Sequence, residues 1–380
     1  MKKLIIFHLA PFPYISGGID TWLFNFIKEN NYNYNITIFC PNTTDKREAI
    51  FDISTFDNLE IQYISTFNNY FQMLLWSFEM YKTSRNFIKK DISPILVLST
   101  IPTMIPIWLL KNITRIKNPI ICSVRGQIAQ DAIDLNKNFL FKWMTYFLEK
   151  RLLLLSNKIV SNGWDTQKYL TKFYNIHSIV IPNAFNKIGI TKYFEDIDLE
   201  TVNNLKKNGK RIILHVGTLR PVKGIEYILE ALKIINKHSN NDYTIFIGKG
   251  HIDKYKYFSS QNNIKAHFFG EKNNVNDYFK LADVVINVSG GSGISNSLLE
   301  SLSLGKTTVC WDTYTFSQII VDKSNGYLAK YKNLESLAEV IKNALDNNLD
   351  EIIIKNSIIN FNWSHVNNQW LDLIEKERLC

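Results

Sequence analysis

The stretch Ser289 to Lys306, SGGSGISNSLLESLSLGK, holds the residues whose spacing points most directly to chemistry. Gly290, Gly291 and Gly293 let the backbone come close to a bound group and take left-handed dihedrals, while Ser295 or Asn296 can cap the helix that follows. A helix start offers N–H groups and partial positive charge, which together make a seat for phosphate. Glu300 lies within the first turns of that helix, where its carboxylate can accept hydrogen bonds from ribose hydroxyls. Phosphate and ribose together specify a nucleotide. Singly the features are ambiguous, because a glycine turn serves many doubly wound folds and a helix carboxylate is often only solvated.

Other residues converge on the same chemistry. In VGTLRPVKG, Arg220 and Lys223 flank Pro221 after Gly217, placed to reach a diphosphate with charge-assisted hydrogen bonds. Fixed cations there stabilise a diphosphate leaving group more in the transition state than in the ground state. Gly248 and Gly250 in FIGKGHID form a second close-approach loop, suited to a base or ribose edge. Gly17 and Gly18 precede a helix near the amino terminus, and Arg125 with Gly126 follows a strand where a sugar acceptor can be held. The glycine pair lacks the GxGxxG spacing and the later acidic residue of a dinucleotide site, which argues against a dehydrogenase. No GxSxG, Walker loop or HExxH is found, and the seven histidines form no ligand set, so neither a metal nor another cofactor is expected.

These loops need strands and helices to aim them. Apolar runs alternate with helical patterns along all 380 residues, the signature of parallel sheets covered on both faces. In the first half KLIIFHLA, YNITIFC, LEIQYIS, PILVLST, PIICSV, NKIVSN and HSIVIPN read as strands, with helices over Ile19–Asn30, Tyr70–Lys90 and Asn138–Leu155. In the second half KRIILHV, DYTIFIG, NIKAHFF, ADVVINV, TTVCW and GYLA do so. The expected organisation is a first doubly wound domain over 1–185, a linker with a short helix over 186–209, a second domain over 210–360 and a closing helix over 361–380. Two such domains facing each other would enclose a cleft at the carboxyl ends of their sheets.

Four scattered cysteines without ligand spacing suit a reducing compartment. The opening apolar run is short and broken at Pro11, so it reads as a buried strand rather than a signal peptide, and no window is long and apolar enough to span a membrane. The net charge of +9 is uneven, with 21 Lys and Arg against 13 Asp and Glu in residues 1–190. A basic first half favours anionic surfaces. No nucleic-acid motif accompanies the charge, so nucleic acid is not an expected partner.

Together these motifs resemble the retaining, nucleotide-sugar-dependent glycosyltransferases of family 4, the group 1 enzymes with the GT-B fold. The resemblance implies that Lys223 binds the donor diphosphate, with Arg220 in support, and that Glu300 binds the ribose. Gly293, Ile294, Ser295, Asn296 and Ser297 would then meet the diphosphate through their backbone, and Gly17, Gly18, Gly217, Gly248 and Gly250 would line the donor. The family pairs two glutamates seven residues apart; the first of these positions is Ser292 here. The resemblance further implies an α/β chain of two Rossmann-like domains with a closing helix that crosses back to the first. It also implies a saccharide or lipid-linked acceptor near Arg125 and Gly126, and a cytoplasmic location at the inner membrane face with contact to anionic lipid. The nucleotide sugar is a co-substrate, not a bound cofactor. Ser292 keeps open a second reading, a catalytically silent relative that binds a nucleotide sugar or partners an active enzyme.

Overall fold

The computed structural model describes residues 1–379 except 15–16, 31, 44–48, 68, 90–91, 127, 129–137, 186–195, 237–240 and 291–292. Two compact units divide the chain, Met1–Asn183 with Trp363–Cys380, and Ala184–Asn362.

The first unit is built on strands β1 (Lys2–Phe7), β2 (Tyr34–Pro41), β3 (Leu59–Ile64), β4 (Ile95–Leu98), β5 (Ile120–Val124), β6 (Lys158–Ser161) and β7 (Ile179–Val180), ordered β3-β2-β1-β4-β5-β6-β7. Every pairing is parallel. All residues of β4 and β5 are buried, as strands covered on both faces require. Helices α1 (Gly18–Asn30), α2 (Tyr70–Ile88) and α4 (Phe139–Leu153) fall within two residues of the expected spans.

Helix α3 (Ile101–Leu109) was not anticipated. Pro102 at its start and Pro106 inside it mask the helical pattern, and the missing N–H of Pro106 is followed by a π turn over Leu110–Thr114. Helix α5 (Trp164–Tyr174) completes this stretch.

The second unit opens with α6 (Ile197–Lys207) and continues β8 (Arg211–Val216), α7 (Ile225–Asn236), β9 (Asp242–Ile247), α8 (Asp253–Gln261), β10 (Ala266–Phe268), α9 (Val275–Leu281) and β11 (Val284–Asn287). Then come α10 (Asn296–Ser303), β12 (Thr308–Asp312), β13 (Tyr327–Lys330), α11 (Leu334–Asp346) and α12 (Glu351–Ser357). Its strands are ordered β10-β9-β8-β11-β12-β13, again all parallel. The order reverses beside β8, the topological point at which open parallel sheets bind ligands.

Within the stretch read as a linker, 186–195 lie outside the described residues, and α6 is a folded part of the second unit. Its composition hides one buried residue, Val202, which packs with Ile212, Leu214 and Tyr278. Asp196 caps this helix and takes an ion pair from Lys272 at 2.7 Å and a hydrogen bond from the Tyr278 hydroxyl at 2.7 Å. The closing helix α13 (Trp363–Leu379) belongs to the first unit. Trp370 packs on Trp22 with ring centres 5.1 Å apart, and the Asn30 amide donates to Asn367 Oδ1 at 2.7 Å.

Candidate functional site

The loops leaving β8, β9 and β11 are stitched to one another at the carboxyl edge of the second sheet. Gly217 donates its N–H to Ile247 O at 2.9 Å, Leu219 to Lys249 O at 2.7 Å, and Gly290 to Val222 O at 2.9 Å. The packing leaves no room for side chains at three glycines. A Cβ on Gly248 would stand 1.9 Å from Gly217 O, one on Gly250 2.4 Å from Leu219 O, and one on Gly224 2.5 Å from Val288 O. Gly248 and Gly224 also have positive φ, +142° and +76°, which side chains rarely allow. Gly224 is not singled out by type alone; the Lys-Gly dipeptide is its signal in the sequence.

Lys223 ends a short 3-10 turn, Pro221–Lys223, on this framework. Burial, and then the nearby Arg220 charge, hold its pKa below the usual lysine range. Among the described residues neither cation has an ion-pair partner, whereas Lys206, Lys249, Lys254 and Lys272 in the same unit all do. A desolvated, unpaired lysine is costly unless an anion arrives. Behind it lies His215, buried in β8, whose Nδ1 is 3.1 Å from Ile286 O. Its Nε2 faces Gly217, 3.7 Å from where a Cβ there would be, and finds no partner among the described residues. Burial drives its pKa to about 4, with the Lys223 charge acting in the same sense, so the imidazole is neutral at pH 7.

The start of α10 is bracketed by Asn287, the last residue of β11. Its Nδ2 reaches Ser295 Oγ and Ser297 Oγ, each at 3.0 Å, and the two hydroxyls are 2.8 Å apart. Ser295 therefore occupies the cap position without capping the helix through its side chain, contrary to the expectation drawn from its residue type. Its hydroxyl is spent on Asn287 and Ser297. Asn287 was missed in the sequence, although one polar residue ending the run DVVIN was its trace. Gly293 has φ +80°, Ile294 is buried, and Ser292 lies outside the described residues. The Glu300 carboxyl, partly buried in α10, has its pKa pushed up to about 7 by desolvation. No side-chain partner supports its charge among the described residues, so it is poised for donors brought by a ligand.

In the first unit, Gly17 packs so that a Cβ would lie 2.9 Å from Asp20 Oδ2, and Gly18 begins α1. Asp20 is itself buried and 2.8 Å from His8 Nε2, a pair that sequence spacing did not bring together. Arg125 is engaged. Its guanidinium lies 4.1 Å over the Trp22 ring, Nε donates to Ser123 Oγ at 3.1 Å and Nη1 to Asn183 Oδ1 at 3.0 Å. Burial lowers its pKa to about 9. Gly126 has open space where a side chain would be.

Two parallel-sheet, Rossmann-like α/β units make this a GT-B fold. Residues 196–359, which lie within the second unit, match the family model described as glycosyl transferases group 1. An uncharacterized glycosyltransferase of Methanocaldococcus jannaschii is 24% identical over 398 residues, covering 98% of each chain. Among solved structures, sucrose-phosphate synthase of Thermosynechococcus elongatus superposes with a TM-score of 0.79 at 14% identity over 99% of both chains. The Anabaena protein HepE in complex with UDP-glucose superposes with a TM-score of 0.75 at 13% identity, over 99% of this chain and 100% of that one.

Proposed function

We propose that the protein transfers a sugar from a nucleoside-diphosphate sugar to a saccharide or lipid-linked saccharide, with retention at the anomeric carbon, in bacterial surface polysaccharide or glycoconjugate synthesis. The observation that carries this reading is Lys223, a desolvated and unpaired cation on glycine-locked loops in a group 1 glycosyl transferase domain. Lys223 and Arg220 would take up charge as the sugar–diphosphate bond breaks. Backbone groups from Gly293 to Ser297, held in place by Asn287, would contribute beside them. Attack on the same face as departure lets the leaving phosphate accept the acceptor's proton, so no protein base is required. Gly217, Gly248 and Gly250 let the loops that would line the donor interlock, Ser292 would meet the sugar as a neutral group, Gly17 and Gly18 would do so from the start of α1, and Gly126 leaves open space on the first unit. Arg125 acts there by holding Asn183. The expected setting is the cytoplasmic face of a membrane; no helix among the described residues is long and apolar enough to cross one.

The test is a thermal-shift screen of nucleoside-diphosphate sugars, since a ligand that binds only the folded state raises its melting point. A stabilising donor followed by acceptor-dependent release of nucleoside diphosphate supports the reading. A stabilising donor with no release across plausible acceptors favours the silent relative that Ser292 suggests. No stabilising donor at all defeats both.

Glu300 adds a pH signature. Ribose hydroxyls donate to the ionised carboxylate, so binding selects the form that dominates above pH 7. Affinity for a nucleotide sugar, whose phosphates stay ionised throughout, is expected to fall about tenfold between pH 8 and pH 6. Calorimetric titration checks this, and Glu300→Gln should bind more weakly with a flat profile.

A further inference from the structure

Helix α4 is apolar outward as well as inward, where Leu152 and Leu153 join the core. Its inward face carries Thr145 and Glu149, and the Glu149 carboxylate, fully buried, accepts hydrogen bonds from the hydroxyls of Tyr169 at 2.9 Å and Tyr174 at 2.6 Å. Its outward face carries Phe139, Leu140, Trp143, Met144 and Phe147, between 46% and 81% exposed. These positions recur at helical spacing, so they form one stripe along a helix about 22 Å long. Trp143 and Phe147 stack on each other with ring centres 5.6 Å apart, and the Arg151 guanidinium lies 5.1 Å over Phe147. A contiguous exposed apolar patch of this kind marks an interaction surface rather than a stray side chain.

The charge around the stripe selects its occupant. The one acid of α4 is turned inward, leaving Lys142, Lys150 and Arg151, none of which is ion-paired among the described residues. Packed beside α4, α3 adds exposed Trp108; α2, on the far side of α3, adds exposed Phe78 with Lys82 4.7 Å over its ring. Trp76 and Tyr81 of α2 are buried in the core and contribute nothing to this surface. Aromatic and aliphatic side chains fringed by these cations, with the exposed acid of α2, Glu79, accepting a hydrogen bond from Ser65, fit the boundary between headgroups and acyl chains of an anionic bilayer. A second copy of the chain would bring the same cations against themselves.

We propose that the outward face of α4, extended by α3 and α2, docks the protein on an anionic lipid surface. This deepens the transferase reading by naming the surface from which a lipid-linked acceptor would be drawn, yet vesicle binding is measured without donor or turnover, so each can fail alone. The full chain is floated with vesicles of phosphatidylcholine, alone or mixed with phosphatidylglycerol. Binding to the mixed vesicles is expected, weakened at roughly 1 M salt, where the screening length is about 3 Å. The double substitution Trp143→Ser with Phe147→Ser should weaken binding at least about tenfold with the melting point unchanged, because both side chains are exposed. Lys150→Gln and Arg151→Gln should each cost about fivefold. The proposal is overturned by no binding to mixed vesicles, by equal binding of the Trp143, Phe147 double variant, or by a concentration-dependent dimer in sedimentation that this variant abolishes.

Discussion

Lys223→Ala is expected to lower acceptor-dependent release of nucleoside diphosphate about 10²- to 10³-fold, the cost of removing one fixed donor from developing charge. The loss should fall mainly on kcat, because charge on the diphosphate grows as the bond to the sugar breaks. A second readout separates this role from a structural one. The lysine is desolvated beside Arg220 and pairs with no carboxylate among the described residues, so its removal should leave the unliganded melting point unchanged or raised. The stabilisation given by a nucleotide sugar should shrink at the same time. A fall in unliganded stability together with normal turnover would remove Lys223 from the reaction.

The next largest effect is on stability against acid. His215 titrates near pH 6.5 when unfolded and near pH 4 when folded, so between those values the unfolded chain binds the extra proton. Stability from this residue is complete above pH 6.5 and is lost as pH falls toward 4, by about 3 kcal/mol. Glu300 acts in the opposite sense, because its raised pKa makes the folded chain the proton binder between about pH 7 and the ordinary carboxylate range. In the wild-type protein the two partly cancel. Urea unfolding should therefore show Glu300→Gln losing stability steeply below pH 6.5, while His215→Asn, which keeps a donor for Ile286 O, gains relative to wild type. Parallel pH profiles for His215→Asn and wild type would show that the imidazole is not held neutral.

The strands were legible in the sequence because parallel sheets buried on both faces write continuous apolar runs, as Leu4–Phe7 and Ile120–Val124 do. Helix α3 was not, since Pro102 and Pro106 imitate a loop; α6 was expected as a short helix, but with one buried residue, Val202, in a polar stretch it read as part of a linker. At the candidate site, glycines and cations announced themselves by type and spacing. The bracket from Asn287 to Ser295 and Ser297 did not, because hydrogen bonds across eight and ten residues depend on how a turn folds back. Arg125 was placed near the acceptor by its position after a strand; only the fold reveals Trp22 beneath it and Asn183 beside it.

The interlocking of Gly217 with Gly248, Leu219 with Gly250 and Gly224 with Val288 bears on how this lobe can be re-engineered. Each segment is the mould in which its neighbour is cast, so grafting one from another transferase would force backbone atoms into overlap. Altered donor preference is better sought by transplanting all three segments as a block.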